Sequence, residues 1–492
     1  MTTLKIEICT WSKAVTPEGW ILLPVRPSEQ KPVEPLSEDV CLQLNIPDTD
    51  WASEGDSCHT DSDGIVIFKA APILYKDGVG SYSTLNSAGD ALGRGLKALS
   101  TRKVRHAAIL MPEMASAKTA LASLLLGIPD LAAFDVSPFK THETEKKMVK
   151  IPEITFVTMK GRDSAALRAL LHRIRLMSEG VNFARRLVDV PANWLGPAEL
   201  AAEARTLESD GIRFSLLGKR DLEKMGGLAA VGSGSKKEPC FIILELNPGK
   251  KSPLVLIGKG VTFDSGGLSL KTSHGMIDMK NDMGGAAAVI AAIRTLARLG
   301  CRKRVIGLVP AVENMPDGGA MRPSDVVRMY DGQTVEISNT DAEGRLIVAD
   351  ALAYAATLHP EWTVDIATLT GAVVTALGPM FTGLFTDDKG LEQAICRASE
   401  RSGERVWGLP LHVWFRDEMK SLFADWKNRA GTEGAASLAA AFLQAFAKGR
   451  WAHLDIAGSV WTDKDRSYFP KGPSGVGVKL LVELVEGAGF HQ

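Results

Sequence analysis

Residues 254–299 read LVLIGKGVTFDSGGLSLKTSHGMIDMKNDMGGAAAVIAAIRTLARL, and the architecture can be read outward from them. The run LVLIG at 254–258 has the length and apolarity of a buried strand, and 284–299 places small and apolar residues at helical spacing. A buried strand feeding a helix is the repeating unit of an α/β sheet. The segment between them concentrates ionisable groups, Lys259, Asp264, Lys271 and Asp282, among Gly, Ser, Met and Phe. Ligands of open α/β sheets gather beyond the carboxyl ends of strands, which is where these side chains fall. Gly266 and Gly267 permit positive φ and a close backbone approach there. The helix is not a dinucleotide fingerprint, since MGGAAA lacks the GxGxxG spacing; its small residues suit tight packing on a sheet.

The alternation continues in both directions. Phe241–Glu245, Leu254–Ile257, Val305–Val309 and Val364–Ala367 are strand-like, while Gly284–Leu299, Arg345–Thr357 and Leu438–Ala447 are helical. This predicts a larger C-terminal α/β domain, residues 193–492, with helices on both faces of its sheet. Upstream, Ser164–Val188 carries Leu167, Leu170, Leu171, Ile174 and Met177 at helical spacing and ends before a cluster of breakers from Pro191 to Pro197. We assign 161–192 to an interdomain helix. Residues 1–160 hold apolar runs at 64–75, 104–110 and 154–159 and helical patterns at 83–99 and 117–127, which predicts a smaller N-terminal α/β domain. The Pro-, Ser- and acid-rich 27–60 reads as loop. His59, His106 and His142 have no clustered partners and read as structural or solvated.

A chain of 492 residues suits two domains. Its 45% hydrophobic and 23% charged content is globular and excludes the disordered, collagen-like and coiled-coil classes. With 57 basic against 58 acidic residues, no global excess of positive charge supports binding to nucleic acid or to a membrane. Six cysteines without CxxC spacing argue against a disulfide scaffold or zinc ribbon and for a reduced, cytoplasmic protein. The N-terminal sequence has neither the basic and apolar regions of a signal peptide nor an Arg-rich transit pattern. Ile366–Thr386 is free of charge over 21 residues, but its five Thr, three Gly and Pro379 fit a buried strand, a Gly-rich turn and a core helix better than a membrane span.

A second segment, SNTDAEGR at Ser338–Arg345, also follows a β-like stretch, Thr334–Ile337. Asp341 and Glu343 are two apart, so in extended chain their carboxylates share a side. With Asp264 and Asp282 they would make four carboxylates without a His or Cys beside them. Such a set repels and raises its own pKa values; divalent ions remove the repulsion, and all-oxygen ligands suit Mg2+, Mn2+ or Zn2+. Two ions ~3.5–4 Å apart would activate a water, and a nearby Lys or Arg would stabilise developing oxyanion charge. The bland alternative is a set of unrelated caps, turns and surface ion pairs, since Asp and Gly are routine turn formers.

Four motifs, KGVTFDSGGLSLK (259–271), MKNDMGGAAAV (279–289), ENMPDGGAMRPSDV (313–326) and NTDAEGRLIVADAL (339–352), together resemble the leucine aminopeptidase, or cytosol aminopeptidase, family of two-metal exopeptidases. The octapeptide NTDAEGRL is its most specific element. RRLVDVPANWLGP (185–197) and HLDIAGSVW (453–461) extend the resemblance over roughly 160–480. It implies a mixed central sheet sandwiched by helices and a homohexamer. It also implies a reaction: release of N-terminal amino acids from peptides with a free N-terminus, through a hydroxide bridged by two Mn2+ or Zn2+ ions.

Residue by residue, the resemblance implies that Lys259, Asp264, Asp282 and Glu343 hold the tighter ion. Asp264, Asp341 and Glu343 would hold the exchangeable one, with Asp264 and Glu343 shared. Lys271 would polarise the scissile carbonyl, and Arg345 would hold a bicarbonate ion acting as general base. Met279, Asn339, Ala342, Thr368, Leu369, Gly371 and Ala457 match the wall of the first side-chain pocket, whose apolar character favours Leu or Met. Thr272 departs from the proline usual after the second lysine and is expected to loosen that loop. His274 matches no ligand and reads as a loop residue. Two rivals are a two-metal phosphoesterase, which NTDAEGRL and the paired lysines disfavour, and an inactive or moonlighting scaffold that binds DNA, which the balanced charge does not support.

Overall fold

The apolar runs become the strands of two separate large sheets. The computed structural model describes residues 168–249, 251–464 and 471–487 in full; before them it describes Leu131, Phe134 and residues 139–141, and the backbone of six strands and of 164–167. The chain divides into two compact units, residues 1–178 with 463–471 and residues 179–462 with 472–492. That division falls inside helix α1 (Ser164–Asp189), which the sequence reading set apart as a connector at 161–192 between domains 1–160 and 193–492.

In the first unit, β1 (Ile6–Thr10), β2 (Trp20–Val25), β3 (Cys58–Thr60), β4 (Val66–Lys69), β5 (His106–Leu110) and β6 (Glu153–Thr158) form one sheet in the order β1-β6-β5-β2-β4-β3. All neighbours are parallel except β3 with β4. Strand β3 corrects the reading of 27–60 as loop throughout; three residues are too few to show an alternation. The helical patterns at 83–99 and 117–127, and the side chains of His59, His106 and His142, lie outside the described residues.

The second unit contains β7 (Arg213–Leu216), β8 (Cys240–Leu246), β9 (Leu254–Gly258), β10 (Gly260–Asp264), β11 (Val305–Asn314), β12 (Val326–Arg328), β13 (Thr334–Glu336), β14 (Trp362–Ala367), β15 (Thr382–Phe385), β16 (Val406–Gly408), β17 (Trp426–Lys427) and β18 (Trp451–Asp455). Nine of these make a mixed sheet in the order β16-β15-β18-β14-β9-β11-β8-β7, with β10 pairing to β11, while β12, β13 and β17 form a small second sheet. Strands β9, β11, β14 and β18 are buried at every residue, as strands covered on both faces must be.

The principal helices flank this sheet. Val255, Ile257, Ile306 and Leu308 join Leu346, Ile347 and Leu352 of helix α3 (Gly344–Ala356) in one core cluster. Gly307 points the opposite way, where a Cβ would come 2.3 Å from Ile293 of helix α2 (Gly284–Arg298). Side chains alternate across a strand, so α2 and α3 cover opposite faces.

Two sequence expectations need correction. Strand β11 does not stop at Val309. Pro310, which lacks an N–H, falls where the parallel partner changes from β9 (Leu308 opposite Ile257) to β10 (Ala311 opposite Gly260), so the ladder tolerates it. The uncharged stretch 366–386 contains no core helix: of helix α4 (Gly371–Leu377) only Val373 is buried. No helix of the described residues is long and apolar enough to cross a membrane.

Helix α3 is fixed by Asp350, which is fully buried. Its Oδ2 accepts the Leu228 N–H at 2.9 Å and its Oδ1 the Tyr330 N–H at 2.8 Å. Burial pushes this carboxyl up to about 7, and the backbone donors pull it back only in part. The unfolded value is ~3.9. The folded chain therefore binds more protons between these values, and the stability Asp350 contributes is lost as pH rises through about 7. Asp350→Ala is expected to lower the unfolding free energy by about 2–4 kcal/mol, because it strands buried donors. Denaturant titrations should show a larger loss at about pH 5 than at about pH 8.

Candidate metal centre

The charged residues of the two motifs meet where β9, β10 and α3 begin or end. Lys259 follows β9 directly. Its N–H donates to the Ile366 carbonyl at 3.1 Å and its carbonyl accepts the Ala286 N–H at 2.8 Å, so its backbone is held between β14 and α2. Its side chain is buried, and Nζ lies 2.6 Å from Asp282 Oδ1, 2.9 Å from Glu343 Oε1 and 2.9 Å from the Thr368 carbonyl. Gly344 makes room for it: a Cβ there would stand 2.4 Å from Lys259 Cε.

Asp264 closes β10. Its Oδ1 accepts the Gly266 N–H and the Asn314 side-chain amide, each at 2.8 Å. Its Oδ2 lies 2.8 Å from Lys271 Nζ, which also reaches Asp341 Oδ1 at 2.6 Å. Gly266 turns the chain with φ of 86°, a conformation costly for any residue with a Cβ.

Asp341 and Glu343 do not sit on extended chain, as their spacing suggested. The segment is a turn, and Glu343 is already in the right-handed helical region ahead of α3. What fixes the turn is Asn428, fully buried and one residue beyond β17. Its Oδ1 accepts the Ser338 and Asn339 N–H groups at 2.8 and 3.2 Å, its Nδ2 donates to the Asn339 and Ala342 carbonyls at 2.6 and 3.3 Å, and its own carbonyl accepts Arg345 Nη1 at 2.9 Å.

Asp264, Asp341 and Glu343 each present an oxygen within 4.8 Å of the others, and Asp282 faces them across Lys259. Burial holds Asp282 well above the carboxylate range; Lys259 opposes the rise, while Glu343 and Asp264 add to it. Burial likewise raises Glu343 and Asp341. Burial draws the two lysines down, but the surrounding carboxylates outweigh it and leave both raised, so both carry charge. Two ammoniums would not balance four ionised carboxylates, the state that a bound divalent ion would favour. Asp282 Oδ2 and Glu343 Oε2 remain buried without a hydrogen-bond partner. Orphaned, converging carboxylate oxygens with excess negative charge fit hard or borderline divalent cations.

All these groups line one cavity of about 920 Å³, together with Arg345 and with Met279, Ala342, Thr368, Leu369, Gly371 and Ala457 from the expected apolar wall. Asn339 does not line it. Its side chain accepts the Asp341 N–H at 2.7 Å and supports the turn from behind. Burial lowers Arg345 to about 10, with Glu343 resisting, so the guanidinium stays cationic at neutral pH. Its Nε is buried and unpartnered. Thr272 adopts φ of −63°, the value proline imposes, and its Oγ accepts the Gly275 N–H at 3.2 Å. The expected loosening is offset by this cap, which proline could not make. His274 is exposed. Sequence reasoning missed Asn314 and Asn428, which have no spacing signature. It also missed the wall residues Leu409, Phe415, Arg429 and Ala436, which come from segments without chemical motifs.

Residues 182–482 match the sequence model of the cytosol aminopeptidase family, catalytic domain. A probable cytosol aminopeptidase of Geobacter sulfurreducens is 44% identical over 401 residues, 80% of each chain. One from Brucella melitensis is 41% identical over 77% of this chain and 79% of its own. Among solved structures, the bottromycin maturation enzyme BotP in complex with Mn superposes with TM-score 0.76 at 32% identity, covering 96% of this chain and 99% of its own. A tomato leucine aminopeptidase mutant superposes with TM-score 0.81 at 29% identity, covering 98% of this chain and 96% of its own.

Asn428→Ala removes the four side-chain bonds that hold the 338–342 turn. Calorimetric titration of the metal-free variant with Mn2+ should show affinity reduced by about 10–100-fold, the usual cost of losing a group that orients metal ligands. Unchanged affinity would show that the turn holds its shape without the clamp.

Proposed function

The chain belongs to the cytosol aminopeptidase family, and from that premise we propose how it works and on what. It is a metal-dependent aminopeptidase, a hydrolase. We infer that it removes apolar N-terminal residues, Leu or Met above all, from peptides with a free α-amine. The observation that carries this is the single cavity in which four carboxylates, two lysines and Arg345 adjoin a wall of Met279, Ala342, Leu369 and Ala457.

Lys259, Asp264, Asp282 and Glu343 would hold one Mn2+ or Zn2+ ion, with Lys259 giving up its proton to bind as the neutral amine, and Asp264, Asp341 and Glu343 would hold a second. When bound, such ions lower the pKa of a water and polarise a carbonyl. Lys271 presents its ammonium between Asp264 and Asp341, next to where an oxyanion would develop. Arg345, with its unpartnered Nε, would hold bicarbonate; this supplies the base that the chain lacks, because the nearby carboxylates are committed as ligands. Asp282 assists in holding the substrate amine. Asn339 acts through the Asp341 N–H rather than on the substrate.

Two further properties rest on the family. We propose a homohexamer, which the exposed Leu422 and Phe423, at 96% and 80% accessible, favour as buried contacts. The cytoplasmic location in the relatives' names is proposed here too. The intact ligand set favours catalysis over a scaffold role, and the family match favours a peptide over a phosphoester.

The reading is tested with Leu-, Met-, Asp- and N-acetyl-Leu-amides after metal removal and reloading with Mn2+ or Zn2+. Leu and Met should be cleaved fastest. An acidic side chain would lose hydration against Met279, Ala342, Leu369 and Ala457, a cost of several kcal/mol, and none of these four offers it a cation in return. Preference for the Asp amide, or comparable cleavage of the acetylated one, would refute the reading.

Lys271→Ala should lower kcat on the order of 10²–10³-fold. KM should stay roughly unchanged, since the interaction forms only in the transition state. Metal content by elemental analysis should equal that of the wild type.

A further inference from the structure

Asp455 is fully buried at the last position of β18, and neither the metal centre nor the pocket surface uses it. Its Oδ1 accepts the N–H groups of Leu369 and Ala457, each at 3.1 Å, and its Oδ2 accepts the Thr370 hydroxyl at 2.7 Å. These three partners belong to two loops. Leu369 and Thr370 follow β14, Ala457 follows β18, and Asp455 stands opposite Ala367 where the two parallel strands end. The last backbone bond joining them is Ile456 N–H to the Ala367 carbonyl, at 2.9 Å. Beyond it the strands diverge into the cavity wall, and the Asp455 carboxylate takes over the pairing.

The connection reaches further through Thr370. Its Oγ donates to Asp455 and accepts the Val373 N–H at 3.1 Å, capping α4. Gly371, Val374 and Thr375 of α4 line the cavity. Only Val373 of that helix is buried, so packing holds α4 weakly and the cap matters more than it would for a core helix.

We propose that Asp455 is a positioning residue that sets the shape of the substrate side-chain pocket by fastening its two walls, the β14–α4 loop with Leu369 and the turn with Ala457, to one carboxylate. This rests on the aminopeptidase reading of the cavity. A group that shapes the side-chain pocket alters discrimination between substrates. One that merely stabilises the fold, or acts through the charge of Arg345, alters turnover of all of them alike.

The test measures kcat and KM for Leu-amide and Ala-amide on the Mn2+-loaded enzyme and on Asp455→Ala, Asp455→Asn and Thr370→Val. Asp455→Ala should raise KM for Leu-amide and reduce the Leu-over-Ala ratio of kcat/KM by about 10–100-fold, the range a side-chain pocket supplies. The asparagine keeps an acceptor for the two N–H groups but turns a donor toward Thr370, so it should recover much of the ratio. Thr370→Val keeps the size of a side chain that itself lines the cavity, removes its bonds to Asp455 and to the Val373 N–H, and leaves the Leu369 and Ala457 bonds in place, so it should give an intermediate loss; it keeps the proposal testable if Asp455→Ala does not fold. A ratio unchanged in Thr370→Val and Asp455→Ala, or equal losses on both substrates, would overturn the proposal. Amide hydrogen exchange at Leu369 and Ala457, read on the same proteins, does not depend on turnover. Faster exchange in Asp455→Ala supports the fastening, and equal exchange refutes it. Should the wild type cleave neither amide, the aminopeptidase reading fails separately, and the exchange data still decide the role of Asp455.

Discussion

Burying like charges side by side is the constraint on which the rest of this structure depends. Asp264, Asp282 and Glu343 are almost wholly inaccessible and Asp341 is partly so, and burial pushes the carboxyls of Asp282, Glu343 and Asp341 toward the neutral form. The chain answers first with its own cations. Lys259 and Lys271 each touch two of the carboxylates at between 2.6 and 2.9 Å. The answer is incomplete, and the remaining negative charge gives divalent ions their purchase.

Such a cluster cannot be left to find its own geometry. The loops around it, apart from the one that bears Asp282, are held by polar side chains that are not themselves proposed ligands. Asn314 holds Asp264 and the Thr340 carbonyl, Asn428 holds the 338–342 turn and Arg345, and Asp455 holds the loops after β14 and β18. These three are buried and strand-terminal or just beyond a strand, so the large sheet and the small one supply the rigidity and the amides and carboxylate pass it to the site. Metal sites characteristically depend on partners of this kind as well as on the ligands themselves.

The strand LVLIG, the helix after Met283 and the long helix from Ser164 were legible because apolar period and length specify them. The candidate ligands stood out as ionisable residues among glycines after a strand, but it was the resemblance of the four motifs to the aminopeptidase family, not their spacing, that set them apart from routine turns and caps. The continuation of β11 through Pro310 was not, since it depends on a change of partner strand that only the assembled sheet shows. The turn at 341–343 was misread because two residues carry no signal to separate extended chain from turn. Asn428 was invisible for a different reason: its importance comes from five bonds to residues over 80 positions away, and nothing local marks it.

Strand β18 lies between β14 and β15 in the sheet, although it comes after both in the chain. During synthesis, therefore, β14 and β15 emerge with a gap between them that only residues 451–455 can fill. By then every proposed metal ligand has long been made, yet neither the strand that closes the sheet nor the carboxylate at its end exists. Long-range pairings of this kind form late and leave strand edges open meanwhile. A nascent or truncated chain ending before residue 451 would possess a complete set of ligands and still lack a finished cavity. For a peptide-cleaving enzyme, that order of assembly delays a competent site until most of the chain has left the ribosome.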